Sequence, residues 1–183
     1  MGVPVPPDSL LGRTLASIAP VDEDARAAAV ARQLQLTKPP GSLGRLETLG
    51  NQLCAIAGTC PPPMPEPALV AVFAGDHGVQ AAQQVSPWPQ EVTRQMAANI
   101  ALGGAAVSVL ARVSGADVRV FDVGMLAPLD LDAVRDTRVR PGTDDLSVGP
   151  AMTGANAVAA LEVGIQAARQ AAAEGYRCLV MGE

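Results

Sequence analysis

Three short apolar runs, "ALVAVFA" at residues 68 to 74, "DVRVFDVG" at 117 to 124 and "RCLVMGE" at 177 to 183, are separated by stretches with helical periodicity. This order constrains the fold more than any other feature of the chain. Short runs that are apolar on both alternating faces suit strands buried on both sides. Strands joined through helices run parallel, with right-handed crossovers. The expected class is therefore α/β, a three-layer parallel sheet of Rossmann-like type. The first helical stretch runs from about Gln90 to Arg112. Gly103 and Gly104 fall in its middle, where each costs about 1 kcal/mol relative to alanine, so a break or a close packing contact is expected there. The second starts at Thr153, which can cap a helix placing Ala157, Leu161, Gly164, Ile165 and Ala168 on one face. Residues 125 to 152 carry Pro128, Pro141, Gly142, Gly149 and Pro150 and read as a loop.

Ahead of the first strand the pattern changes. Residues 1 to 20 read as a flexible tail and residues 21 to 60 as a small helical subdomain. Asp22 can cap a helix with Ala27, Val30, Ala31 and Leu34 on one face, and its acidic first turn suits the helix dipole. Ser42 can cap a second, striped by Leu46, Leu49, Leu53 and Ile56. "PPPMPEP" then forms a proline-rich linker over residues 61 to 67, because each proline removes a backbone donor.

All three strands end in acid: Asp76, Asp122 and Glu183. Two of these acids stand close to glycine, in "DHG" and "DVG", where a missing side chain permits a tight turn or close ligand approach. Ligands of open parallel sheets bind beyond the carboxyl ends of the strands. Acids at such positions also cap turns, so each alone has a structural reading beside the functional one. The chain's one histidine, His77, follows Asp76. Asp76, His77 and Asp122 form a conceivable metal set, yet a lone histidine beside an aspartate is more often a hydrogen-bonded structural pair, and no metal is expected. No G-x-S-x-G elbow, G-x-G-x-x-G turn or P-loop occurs. The residues alone stop at an acidic pocket at the strand ends.

Bulk properties exclude further classes. Thirteen basic against eighteen acidic residues give a net charge of −5, with no basic cluster to follow a nucleic acid backbone. The apolar runs read as too short to cross a bilayer, no signal peptide is evident, and Pro6 breaks the myristoylation pattern. A soluble, cytoplasmic chain is expected. Cys54, Cys60 and Cys178 lack paired CxxC spacing and read as free thiols.

Longer strings are more specific. "LTKPPGSLGRLE" (36 to 47), "AGDHGV" (74 to 79), "VSPWPQEVTRQMAANIALGGAAVSVLAR" (85 to 112), "DVG" (122 to 124) and "VGPAM" (148 to 152) resemble, in order and spacing, the nicotinate-nucleotide:dimethylbenzimidazole phosphoribosyltransferases. The resemblance covers almost the whole chain after its first twenty residues. It implies the N-terminal half of such an enzyme, with residues 68 to 183 the first part of a core that continues into a second half. It implies transfer of phosphoribose from nicotinate mononucleotide to dimethylbenzimidazole, giving alpha-ribazole phosphate and nicotinate for the cobalamin lower ligand, with no cofactor.

A flat apolar base needs a mostly apolar pocket with a few orienting polar groups. The resemblance makes Ser86 and Met96 wall candidates, with Gln95 and Trp88 beside them, and places Asp76, His77, Gly78 and Asp122 around the substrates. As one ring nitrogen attacks the anomeric carbon, the other must lose its proton, so a carboxylate base in a desolvated setting is expected. Glu183 is expected as a supporting acidic group, with the principal base and most phosphate contacts beyond residue 183. "KPPGSLGRLE" is expected to be architectural. A homodimer is implied as well. Two other readings remain: a non-catalytic module that binds an aromatic base or serves dimerisation, and an acid-histidine hydrolase or metal enzyme.

Overall fold

The structure, a computed structural model, describes residues 5 to 183. It contains two compact units. The larger holds a four-stranded, wholly parallel sheet in the order β3-β2-β1-β4. Its strands are β1 (Ala68–Gly75), β2 (Asp117–Gly124), β3 (Val134–Asp136) and β4 (Cys178–Gly182). The α/β expectation holds, and β3 is the addition, a three-residue strand inside the stretch read as loop. Its Val134 is buried opposite Val120, so pairing with β2 outweighs the weak local signal of so short a strand.

Alternation along the strands divides the core between the two faces. Val70, Val72, Val120 and Val134 point to one face and pack on Ala97 and Ala111, which belong to α5 (Glu91–Ala101) and α6 (Ala106–Val113). Ala71 and Phe121 point to the other and pack on Ala167 of α7 (Gly154–Ala173), with Phe73 and Phe121 stacked at 5.1 Å between ring centroids. From β1 the chain crosses one face to β2; from β3 it returns over the opposite face to β4, on the far side of β1. The reversal opens a crevice between the carboxyl ends of β1 and β4, where open parallel sheets bind their ligands.

The stretch Glu91–Val113 has the length and apolar composition of a membrane span, although its uninterrupted apolar runs are short. Gly103 breaks it with a φ of 86°, leaving two helices of 11 and 8 residues. Ser108 Oγ donates to the Ile100 carbonyl at 2.8 Å and secures the corner. The break expected from the paired glycines is realised as a left-handed turn that L residues rarely adopt. Short α4 (Gly78–Gln83) follows β1 directly. Thr153 caps α7, its Oγ1 accepting from Asn156 N at 3.2 Å, but the buried residues are Ala167 and Ala171 while Leu161 stays more than half exposed.

The N-terminal expectations need correction. The residues read as tail include α1 (Leu10–Ser17), whose start is fastened by Gly12 N donating to Ser9 Oγ and Leu11 N donating to the Glu162 carboxylate, both at 3.0 Å. Residues 1 to 4 of that expected tail lie outside the described residues. The second unit spans residues 17 to 64 rather than 21 to 60. Within it, α2 (Glu23–Gln33) is capped by Asp22 as expected, Oδ1 accepting from Ala25 N at 2.8 Å.

The N-cap position of helix α3 (Arg45–Ala57) is Gly44, not Ser42; Glu47 instead reaches back to accept from Leu43 N at 3.2 Å and from Lys38 Nζ at 2.6 Å. The two helices meet through Ala25, Ala29, Cys54 and Ala55. Small side chains permit that close approach, and the expected stripes of Val30 and Leu34, and of Leu46, Leu49, Leu53 and Ile56, face outward.

Candidate active site

The carboxyl end of β1 is where strand geometry gives way to site geometry. Ala74 pairs with Asp122 but Gly75 pairs with Gly124, a bulge that bends the strand ends. Gly124 O accepts from both Asp76 N and Gly142 N at 2.9 Å, and Asp76 O accepts from Thr143 N at 3.0 Å. Residues 137 to 143 therefore lie along the strand ends as a hydrogen-bonded border. Gly78 is required at this seam: a Cβ there would meet Thr143 O at 2.6 Å and Asp145 N at 2.8 Å, so backbone passes where a side chain would stand.

The two strand-end aspartates share a structural task. Asp76 Oδ2 accepts from Leu126 N and Asp122 Oδ1 from Met125 N, each at 2.8 Å. Together they hold the turn after β2. Asp76 is 6% exposed and still borders the cleft, whereas Asp122, 2% exposed, faces the turn and is absent from the cleft wall. It was expected around the substrates, and in this structure it stands behind the turn and lines neither cleft. Desolvation pushes the Asp122 carboxyl above the usual carboxylate range, opposed by the Met125 amide.

A cleft of about 780 Å³ opens at the crevice. Val72, Phe73, Met96, Ile100, Val123 and Leu161 make its wall largely apolar, while Asp76, His77, Thr143, Asn156 and Glu183 add polar groups. A second recess of about 340 Å³ shares Asp76, His77 and Met96 with it and extends to Ser86 and Trp88. Thus Asp76, His77, Met96 and Glu183 come together, and Ser86 and Trp88 join them through the smaller recess. Gln95, on the exposed side of α5, lines neither of these clefts.

His77 is exposed, and its carbonyl, not its imidazole, ties the site together by accepting from Gln90 Nε2 at 3.0 Å. Among the described residues no cluster of acids, cysteines and His77 has the makings of a metal site.

Three organising residues escape a reading of the sequence. Gln80 accepts from Ser86 N at 2.7 Å and donates to the Ser86 and Trp88 carbonyls at 3.0 and 2.8 Å, clamping the turn that carries Ser86 and Trp88. Gln90 performs the bond to His77, and Arg140 grips Asp144 with two hydrogen bonds of 2.8 and 3.1 Å. That guanidinium holds the Asp144 carboxyl below its ordinary range. Nothing local distinguishes a clamping glutamine from a solvated one; its partners lie six to thirteen residues away.

The sequence profile of a phosphoribosyltransferase family matches residues 18 to 183. The chain belongs to this phosphoribosyltransferase family. Among curated relatives, the nicotinate-nucleotide:dimethylbenzimidazole phosphoribosyltransferase of Salinispora tropica is 48% identical over 189 residues, covering 95% of this chain and 52% of the relative. The protein of the same name from Nitratidesulfovibrio vulgaris is 48% identical over 169 residues, covering 91% and 47%. The crystal structure of CobT from Thermus thermophilus superposes with a TM-score of 0.80 at 44% identity, over 87% of this chain and 47% of that one. The chain spans about half the length of the curated phosphoribosyltransferases it matches.

Proposed function

We propose that this chain supplies one half of the substrate cleft of an enzyme that transfers phosphoribose from nicotinate mononucleotide to dimethylbenzimidazole. The supporting observation is the largely apolar cleft at the crevice of the sheet, bordered at the strand ends by Asp76 and Glu183 and continuous in lining residues with the recess of Ser86 and Met96. A largely apolar cleft suits a flat benzimidazole, and the polar groups among its lining suit the ribose.

In this reading Met96 packs against the base, and Ser86, held by Gln80, orients its edge. One ring nitrogen attacks the anomeric carbon with inversion. The bond to nicotinate breaks, its electron pair passing to the pyridine nitrogen and cancelling that ring's positive charge. The proton on the second benzimidazole nitrogen leaves to a carboxylate. Glu183 supports that step, with the principal base supplied from the second half that the relatives possess. Asp76, His77 and Gly78 keep the floor in shape. We place the enzyme in the cytoplasm as a homodimer, the latter testable by light scattering.

The decisive experiment incubates both substrates with the 183-residue chain and, separately, with the polypeptide read from coding DNA continued past codon 183, following alpha-ribazole phosphate by mass spectrometry. Product from either preparation supports the reading. No product from both overturns it, and dimethylbenzimidazole binding without turnover would favour the binding-module reading.

A further inference from the structure

Two of the three cysteines meet in the helical unit. Helix α3 ends at Gly58, which takes a left-handed φ of 64° and returns its N–H to the Cys54 carbonyl. Thr59 N follows to the same carbonyl at 3.3 Å. This double return is a helix-ending motif that folds the next residues back over the last turn. The residue so placed is Cys60, which the motif returns to the side of Cys54. Both line a recess of about 100 Å³ with Arg32, Gln33 and Asn51. Cys54 is 3% exposed, whereas Cys60 is partly open to solvent. Cys178 lies in the other unit, at the start of β4.

We propose that Cys54 and Cys60 are a modification site, a dithiol that closes reversibly to a disulfide when a peroxide reaches the recess. The asymmetry of exposure assigns the roles. The Cys60 sulfur, as thiolate, attacks the peroxide, the O–O bond breaks, and Cys60 becomes a sulfenic acid as hydroxide leaves. The Cys54 sulfur then attacks the Cys60 sulfur, the S–O bond breaks, and water leaves carrying the Cys54 proton. In sum two thiols lose two electrons and two protons, and one peroxide becomes two waters. A dithiol reductant reverses the closure by exchange. Burial and the adjoining thiol push the Cys54 thiol up, which disfavours its sulfur as the first attacker. The bond would fasten the last turn of α3 to the start of the proline-rich segment, and it stands independently of the proposed transferase activity.

The test treats the purified 183-residue chain with hydrogen peroxide and then with dithiothreitol. Free thiols should fall from three to one. Both cysteines lie in the one tryptic peptide of residues 46 to 94, so that peptide should lighten by two hydrogens and lose its fragment ions between positions 54 and 60. Dithiothreitol should restore all three thiols. In Cys54→Ser the reaction should stop at a Cys60 sulfenic acid captured by dimedone, and Cys60→Ser should form no bridge. Because either variant could misfold, phenylarsine oxide, which bridges adjacent thiols, serves as a second probe and should bind the wild-type chain at one equivalent, at this peptide. Survival of all three thiols, bridging through Cys178, or failure of the arsenical to bind would overturn the proposal.

Discussion

The two ends of the sheet differ in how completely they are filled. Around β2 and β3 the core is closed: Val120 and Met125 are fully buried, with Val134 beside them. Around β4 it is open, and Val180 and Met181 stand 49% and 78% exposed although they alternate as strand residues should. The contrast follows the helices. Both α5 and α6 press on the face of Val70, Val72 and Val120, whereas the far face packs a smaller cluster of Ala71, Phe121 and Ala167. Equal hydropathy therefore does not mean equal burial, and the cleft lies toward the less filled side.

The sharpest way to break this comparison is a matched pair of truncations. Met125→Ala should cost about 2 to 5 kcal/mol of unfolding free energy, as buried methionine truncations do, while Met181→Ala in this chain should stay within about 0.5 kcal/mol. Equal losses in urea titrations would show that β4 is covered in solution. A second pair concerns glycines. Gly78→Ala forces a Cβ into the backbone of residues 143 to 145 and should cost about 1 to 3 kcal/mol as overpacking. Gly164→Ala, in open space on α7, should instead stabilise by about 0.5 to 1 kcal/mol.

Smaller effects refine the picture. Thr153→Ala removes the side-chain cap of α7 and should cost about 1 kcal/mol, read as a fall in thermal midpoint. The smallest effect is a pH dependence at the buried aspartate of β2. The folded carboxyl of Asp122 titrates above its unfolded value, so its favourable contribution is complete below about pH 4 and is lost as pH rises through the raised pKa. The stability of the native chain relative to Asp122→Asn should therefore decline with rising pH. A difference that stays flat would remove burial as the explanation of this acid.

How much was legible depended on the range of the interactions. Strands β1, β2 and β4 and the Asp22 and Thr153 caps were visible because apolar runs and capping residues act over a few positions. The position of Asp76 at a strand end was visible too. Its partner Leu126, fifty residues away, was not. For the same reason nothing near Asp122 announced that it would turn away from the cleft, and nothing near Gln80 announced a clamp. The stripe of leucines on α3 was legible, but its exposure was not, because periodicity identifies an apolar face and not what covers it.

By itself, then, the sequence determined the class of fold, the family resemblance and the strand ends at which a site would form, since these follow from local pattern and from long matching strings. Tertiary structure alone decided the order β3-β2-β1-β4, the crevice it opens, and which acid borders that crevice. The physical reason is pairing across the chain: the β1 and β2 register, the bulge at Gly75 and the border of residues 137 to 143 are set by backbone hydrogen bonds between distant segments, whose partners no local pattern specifies.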